Sequence, residues 1–198
     1  AHFPFTEDMK PMPGDPYGIA KFAAELVTEN LCKMYGIEYT HAIPHNIIGP
    51  RQKYDDPYRN VASIMINLML QGRQPIIYGD GEQRRTFSFV NDVVDPMVKM
   101  GFQSNVVGEA INVGSDEEFI SINELARRIA DLMKFKPLKP IYVGDRPLEI
   151  KFSTCSSEKS RKLLDYKTTY TLDRGLMEMI EWIGKRGPRP FQYHLPLE

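Results

Sequence analysis

Segments with helical periodicity alternate with short strand-like segments along this chain, and this alternation restricts the possible fold more than any other feature. Helices are predicted at 16–35, 60–71, 91–102, 121–133, 156–164 and 171–185, and strands at 39–43, 74–78, 86–90, 110–113 and 141–143. Strands that alternate with helices indicate an α/β fold, in which helices cover a mainly parallel sheet. Two or three parallel-type strands are too few for a complete doubly wound sheet, so the sequence predicts only part of one.

The composition is that of an ordinary globular protein, with 42% hydrophobic and 26% charged residues among 198. A net charge of −1, with both signs scattered along the chain, predicts neither a nucleic-acid nor an anionic-membrane partner. No apolar run is long enough to span a bilayer. The two cysteines are far apart and the four histidines lack metal-binding spacing, which predicts no metal site or disulfide and favours the reducing cytoplasm.

A tyrosine and a lysine lie four residues apart at the start of the first predicted helix. Asp15 is a suitable N-cap for this helix, and Gly36 is a suitable end. The spacing places the Tyr17 phenol and the Lys21 ammonium on one face, one turn apart. A cation in that position favours the phenolate, so Tyr17 is a candidate base below its ordinary pKa of about 10. The alternative is a surface helix with a solvated charge, because Tyr-x-x-x-Lys arises readily by chance.

A series of short motifs follows in a fixed order. They are Pro-Tyr-Gly-Ile-Ala-Lys at 16–21, Pro-His-Asn-Ile-Ile-Gly-Pro-Arg-Gln at 44–52, Tyr-Gly-Asp-Gly-Glu-Gln-Arg-Arg-Thr-Phe-Ser-Phe-Val-Asn-Asp-Val at 78–93, Asn-Val-Gly at 112–114 and Arg-Pro-Leu-Glu at 146–149. This order closely resembles the extended short-chain dehydrogenase/reductase family, particularly its UDP-glucose 4-epimerase-like members. Within that family, Tyr58-Arg59-Asn60-Val61 and the Arg-Thr-Phe-Ser pattern at 85–88 look more like an epimerase than a decarboxylase.

Two family features are absent from this sequence. It contains no Gly-x-x-Gly-x-x-Gly turn, whose amides hold the cofactor pyrophosphate in the family, and no catalytic Ser or Thr shortly before the tyrosine. The resemblance therefore implies the C-terminal part of such an enzyme, with a missing N-terminal segment: the last strands of a doubly wound Rossmann-type sheet plus a small α/β substrate-binding lobe. Residues 1–50 and 88–114 are assigned to the remnant of the NAD-binding domain, and residues 51–87 and 115–198 to the sugar-nucleotide-binding lobe.

The resemblance implies transient oxidation of a sugar by NAD. In the family the Tyr phenolate takes the proton of the sugar 4-hydroxyl while C4 delivers hydride to NAD, and the 4-keto intermediate turns over and is reduced on its other face. Mapped onto this sequence, Tyr17 is the base and also one of the cofactor-binding residues. Lys21 lowers the pKa of Tyr17 and holds the nicotinamide ribose, and Pro44 backs the nicotinamide.

The resemblance also assigns the residues that bind a nucleoside diphosphate, which is doubly anionic and suits guanidinium groups and neutral donors. Arg85 and Arg146 match the diphosphate clamp, Asn46 and Asn60 are nearby donors, Glu149 accepts from the ribose hydroxyls, and Tyr78 lies along the uracil. The alternatives are surface ion pairs for the two arginines and an ordinary core aromatic for Tyr78. Leu148 replaces a small residue common at that turn. Arg84 is expected to face solvent, and His45 to fill space under its loop.

These implications lead to a sugar-nucleotide epimerase, with a UDP-sugar as substrate and a homodimer formed through the Tyr17 helix. Two enzymatic alternatives remain within the family, a UDP-glucuronate decarboxylase and a nucleotide-sugar 4,6-dehydratase. An alternative of another class is a non-catalytic nucleotide-sugar-binding or oligomerisation module, which the missing glycine turn favours. The sequence leaves open whether the sugar is glucose or its N-acetyl counterpart, and whether the base must be uracil.

Overall fold

The computed structural model describes residues 3–57 and 60–191, in which helices and short strands alternate. The helices are α1 (Pro16–Tyr35), α2 (Val61–Leu70), α3 (Val90–Met100), α4 (Ile122–Leu132), α5 (Glu158–Leu164) and α6 (Leu172–Arg186), with a 3₁₀ turn at Ser104–Val106. The strands are β1 (His41–Pro44), β2 (Ile47–Ile48), β3 (Ile76–Tyr78), β4 (Arg84–Arg85), β5 (Ser88–Phe89), β6 (Ala110–Val113), β7 (Ile120–Ser121), β8 (Ile141–Val143) and β9 (Phe152–Ser153). His2, Tyr58, Arg59 and His194, on which some of the predictions rest, lie outside the described residues.

The strands pair mostly in parallel, as an α/β fold requires. β1 pairs with β6, β2 with β5, β3 with β8 and β4 with β9, all in parallel register. β4 also pairs with β7, in the antiparallel direction. Each of the parallel partners is separated in the chain by at least one helix, which is the crossover connection that parallel pairing needs. The predicted fold class is confirmed.

Side-chain caps fix several helix starts where the sequence predicts them. Asp15 accepts a hydrogen bond of 2.6 Å from the Gly18 amide at the start of α1, and Ser121 accepts one of 3.2 Å from the Glu124 amide at the start of α4. Gly36 follows α1 with a φ of 65°, the left-handed conformation that ends many helices at glycine. These capping contacts join residues only three or four positions apart, so they depend little on the rest of the fold.

The prediction that Asn91 caps the third helix is wrong. α3 begins at Val90, with Phe89 in the cap position and no side-chain capping bond. The side-chain Nδ2 of Asn91 instead donates to the Tyr170 hydroxyl over 3.0 Å. The side chain that would cap the helix therefore contacts a residue far along the chain. The predicted strand at 86–90 is correspondingly reduced to β5.

The sequence also misses β2, β4, β7 and β9. Each is two residues long, which is too short to show the alternation by which a strand is recognised. β4 exists because its backbone finds partners on both sides, in β7 and β9, far along the chain. Such pairing is a property of the tertiary fold and leaves no local pattern.

Buried apolar side chains form two clusters. The larger one lies among α2, α4 and α6, where Met65, Leu125 and Leu176 are fully buried. The smaller one contains Val93, Met100, Val106, Ile111, Val113 and Leu164 and lies under α3 and β6. The methionines of α2 therefore lie in a hydrophobic core. The proposed domain boundaries remain a prediction.

α1 differs from the other long helices because none of its residues is buried. Apolar side chains are nevertheless frequent on it: Ile19, Leu26, Val27, Leu31 and Met34 are all exposed. The Tyr17 side chain is 75% exposed. No helix in the described ranges is long and apolar enough to cross a membrane.

Candidate functional site

A cavity of about 250 Å³ lies beside β3 and β4, and we call it the Arg85 cavity. It gathers every residue that the sequence assigns to substrate binding. These are Asn46, Asn60, Tyr78, Arg85, Arg146 and Glu149, and Val61, Ile64, Gln83, Phe87 and Ile122 complete the lining. The predicted polar residues come from segments spread over about half of the chain, so only the fold brings them together.

Arg85 is held in place by a carboxylate and by backbone oxygens. Its Nη2 lies 2.7 Å from Glu149 Oε1, and its Nη1 donates to the carbonyls of Arg84 and Lys151 over 2.8 and 3.3 Å. Burial lowers the pKa of the Arg85 guanidinium from its ordinary value, and the Glu149 carboxylate opposes that shift. The Arg85 guanidinium is therefore already held in position at the cavity, and a ligand does not need to order it on binding.

Arg146 lies over the ring of Tyr78, with the guanidinium carbon 3.9 Å from the ring centroid. This cation–π contact directs an otherwise exposed arginine along the cavity wall. Tyr78 is half-buried and lines the cavity. The turn that follows Arg146 includes Leu148 at a φ of 60° and brings the Glu149 amide within 3.2 Å of the Arg146 carbonyl. A short turn thus supplies both residues to the same cavity.

Asn46 has a buried donor with no partner among the described residues. Its Nδ2 is enclosed but makes no hydrogen bond, while its carbonyl accepts from the Ser88 amide over 3.1 Å. Its φ is 42°, in the left-handed region that asparagine tolerates better than most residues. A buried, unsatisfied donor costs free energy, and an acceptor on a bound ligand would satisfy it.

Asn60 performs two structural tasks at the same cavity. Its Oδ1 accepts from the Ala62 amide over 3.0 Å and caps α2, and its Nδ2 donates to the Ile47 carbonyl over 3.2 Å. Gln83 is a cavity residue that the motif analysis did not single out, although it directly precedes the two arginines of β4. Its Nε2 donates to the Tyr78 carbonyl over 3.0 Å, which fixes the tyrosine strand against β4.

Two neighbours of these residues have mainly structural contacts. His45 Nε2 lies 3.1 Å from Ser153 Oγ, in agreement with a histidine that fills space under its loop. Burial lowers the pKa of His45, and the charge of Arg85 lowers it further. Arg84 is exposed, as the sequence predicts, and its guanidinium also donates to the Phe119 carbonyl over 2.6 Å and lies 5.0 Å from the Phe119 ring.

The Arg85 cavity does not include the predicted catalytic and cofactor residues. Tyr17 and Lys21 are exposed on α1, and neither lines the Arg85 cavity. Pro44 is exposed at the end of β1, two residues before Asn46. Among the described residues no group of His, Cys, Asp and Glu is arranged to hold a metal ion.

Comparisons of sequence and of structure with known proteins point to the same family. Residues 1–114 match the model of the NAD dependent epimerase/dehydratase family. The chain is 31% identical to a UDP-glucose 4-epimerase of Mycolicibacterium smegmatis over 93% of its own length and 58% of the relative's. It is 32% identical to a UDP-N-acetyl-alpha-D-glucosaminuronate decarboxylase of Bacillus cytotoxicus, over 90% of this chain and 58% of the relative. dTDP-glucose 4,6-dehydratases are also among its relatives.

A solved structure shows the same fold. The UDP-glucuronic acid 4-epimerase of Bacillus cereus, in complex with UDP-glucuronic acid and NAD, superposes with a TM-score of 0.87 at 27% identity. The match covers 94% of this chain and 58% of that chain. The chain therefore spans a little more than half the length of the proteins it matches.

Proposed function

This chain belongs to the NAD-dependent epimerase/dehydratase family. We propose that it is part of a sugar-nucleotide 4-epimerase and that it binds a UDP-sugar in the Arg85 cavity. The observation that carries the proposal is the convergence of the predicted nucleotide-binding residues on one cavity. The curated relatives include both UDP-glucose epimerases and enzymes with other UDP-sugars in their names. The identity of the sugar is left to experiment.

The cavity's charges suit the diphosphate of such a substrate. Arg85 and Arg146 supply two guanidinium groups, which match phosphate oxygens in charge and geometry. Asn46 adds a neutral donor that lacks a partner within the described residues. Glu149 neutralises part of the Arg85 charge through Oε1, which leaves Oε2 as the acceptor for a ribose hydroxyl. Tyr78 and Arg146 form the wall along which the base is expected to lie.

We assign the proton-transfer step to Tyr17, with Lys21 as the neighbouring cation. The Tyr17 phenolate accepts the proton of the sugar 4-hydroxyl and becomes a neutral phenol, and the ammonium one turn away is the counter-ion of the phenolate before the transfer. The described residues do not form a site for NAD: Tyr17 is 75% exposed, α1 buries none of its residues, and the sequence lacks the glycine turn. Lys21 and Pro44 are the remaining predicted NAD contacts, and no hydride step is derived from this chain alone.

The proposal includes a homodimer formed through α1 and a cytoplasmic location. The exposed apolar side chains of α1 support the first, because a helix with an apolar face normally buries it against a partner. The two free cysteines, Cys32 and Cys155, support the second.

Two alternatives have a specific observation in their favour. The relative from Bacillus cytotoxicus favours a UDP-sugar decarboxylase or a related dehydratase, because its identity to this chain is 32%, against 31% for the epimerase of Mycolicibacterium smegmatis. The exposure of Tyr17 favours a non-catalytic nucleotide-sugar-binding module. UDP-induced thermal stabilisation is expected of both the enzyme and the module, and an additional stabilisation by NAD supports the enzyme.

Calorimetric titration with UDP tests the cavity assignment. We expect Arg146→Ala to weaken UDP binding by about 1.5–3 kcal/mol, the usual contribution of a charge-assisted hydrogen bond. Arg174→Ala is the matched control, since Arg174 also lies over a tyrosine ring, at 3.8 Å, but outside the Arg85 cavity. An affinity for UDP that is the same in Arg146→Ala and in the unmodified chain removes Arg146 from the site.

A further inference from the structure

A second cavity, of about 580 Å³, lies between the loop at 51–55 and the C-terminal end of α6. We call it the basic cleft and define it by Arg51, Lys53, Arg186 and Arg189 together with Tyr54 and Trp182. It shares no lining residue with the Arg85 cavity. Its volume falls in the range of about 300–1,000 Å³ that is usual for sites of small molecules.

One buried side chain fixes both walls of the basic cleft. Asn67 of α2 is fully buried, and its Nδ2 donates to the carbonyls of Tyr54 and Arg189 over 2.9 and 2.8 Å. Its Oδ1 accepts from the Arg189 amide over 2.9 Å, and the Tyr54 hydroxyl donates to the Gly187 carbonyl over 3.1 Å. Because the loop and the segment after α6 are tied to the same amide, the cleft is a formed feature of the fold.

The basic cleft carries more positive than negative charge. Of its four cations, Arg189 lies 3.6 Å from Asp55, and Lys53 lies 3.6 Å from Asp56 outside the lining. Arg51 and Arg186 contact no carboxylate within the described ranges. Asp55 is the one acidic residue among those that line the cleft. The surplus favours a ligand with at least two negative charges.

Aromatic rings support two of these cations. The Arg186 guanidinium carbon lies 4.8 Å from the Trp182 ring centroid, and that of Arg189 lies 5.5 Å from the Tyr54 ring. The end of a helix attracts cations by itself, which accounts for a basic residue such as Arg186 in the last turn of α6. It does not account for Arg51 and Lys53, which lie on a different segment and face the same cavity.

We propose that the basic cleft binds a phosphate-bearing small molecule with two or more negative charges, at a site separate from the Arg85 cavity. Guanidinium groups on two walls match the oxygens of a diphosphate, and each forms paired hydrogen bonds with phosphate more readily than a lysine does. Trp182 adds an aromatic wall for the organic part of such a molecule. This assignment does not depend on the proposed epimerase function.

Trp182 makes the proposal directly testable, because it is the only tryptophan in the sequence. We expect sodium pyrophosphate to change its fluorescence saturably, beyond the effect of sodium chloride at equal ionic strength. Arg51→Gln and Arg186→Gln should each weaken pyrophosphate binding about tenfold or more, measured by calorimetry as well as fluorescence. Both side chains are exposed, so the variants are expected to fold, which circular dichroism checks.

Arg174→Gln provides the matched control, since Arg174 lies on the same helix and also contacts an aromatic ring. It should bind pyrophosphate as the unmodified chain does. Equal affinity in the Arg51→Gln and Arg186→Gln variants overturns the site, as does a response that sodium chloride reproduces. Citrate that binds more tightly than pyrophosphate overturns the assignment to phosphate. UDP binding in the Arg85 cavity is measured separately, so the two proposals can fail independently.

Discussion

Asn46 and His45 are adjacent residues that contribute to the same region in different ways. Asn46 turns the chain through a left-handed conformation, and its side-chain donor at the Arg85 cavity has no partner in the described part of the chain. His45 contacts Ser153 and lies close enough to Arg85 for the guanidinium charge to lower its pKa. Because the ring at position 45 is neutral, it adds no positive charge next to the Arg85 guanidinium. The sequence predicts a space-filling role for His45. The nearby positive charge of Arg85 is a further reason for the ring to stay neutral.

The lowered pKa of His45 predicts a specific loss of stability in acid. In the folded state the buried ring stays neutral, whereas the unfolded chain takes up a proton near the ordinary pKa of about 6.5. The unfolded state then binds more protons, so the free energy of unfolding falls as the pH drops below about 6.5. Urea unfolding between about pH 7.5 and 5.5 measures this fall.

His45→Asn removes the titrating group and should make the pH dependence shallower than that of the unmodified chain. The comparison uses the slope and not the absolute stability, because the substitution also changes packing. A slope that is identical in the two proteins would show that His45 does not contribute to acid sensitivity.

At the scale of elements, Asp92 connects α3 to the segment that precedes α6. It is 8% exposed in the first turn of α3. Its carboxylate accepts from the Thr169 amide over 2.9 Å, from the Thr169 hydroxyl over 2.5 Å and from the Tyr170 amide over 3.0 Å. Next to it, the Tyr170 ring stacks on Phe89 with centroids 4.1 Å apart. The end of β5 and the start of α3 are thus fixed to a loop almost eighty residues away.

Asp92→Ala should lower the free energy of unfolding by about 3 kcal/mol, because it leaves buried donors without the charged acceptor they contact. Asp95→Ala is the control on the same helix. The Asp95 carboxylate is 70% exposed and pairs with Lys99 at 2.9 Å, so we expect a change of less than about 1 kcal/mol. Denaturant unfolding measures both, and equal losses in the two variants would contradict the role given to Asp92.

At the scale of the whole molecule, the Arg85 cavity is built from described residues while the tyrosine of the proposed chemistry is exposed. The chain spans about 58% of the length of the relatives and neighbours compared above. The proposed substrate binding and the proposed proton transfer therefore have different structural support. The first rests on contacts within this chain, and the second on the position of Tyr17 in a family motif.

We predict that this chain alone has little or no epimerase activity. A proton acceptor that is 75% exposed is solvated by water, and the described residues do not enclose a cofactor near it. Incubation with UDP-glucose and NAD, followed by chromatographic separation of UDP-glucose and UDP-galactose, measures the activity. Accumulation of UDP-galactose at the rates of an intact enzyme would refute the prediction.

Most of the helices could be predicted because their signals are local. Asp15 with Gly36, and Ser121 with Glu124, act within a few residues of each other, and these helices begin and end near the expected positions. β2, β4, β7 and β9 could not be predicted, since two-residue strands exist only through partners elsewhere in the fold. The capping role predicted for Asn91 is wrong for the same reason: its side chain contacts Tyr170 and not the start of its own helix.

The sequence by itself determined the alternation of helices and strands and the motif order that indicates the family, because both are patterns of neighbouring residues. The motifs also indicated six of the residues that line the Arg85 cavity, but not Gln83. Only the tertiary structure decided that Arg85 is fixed by Glu149, that Arg146 lies over Tyr78, and that a separate basic cleft forms around Trp182. These arrangements depend on which distant segments pack together, and packing is decided by the fold as a whole and not by any single stretch of chain.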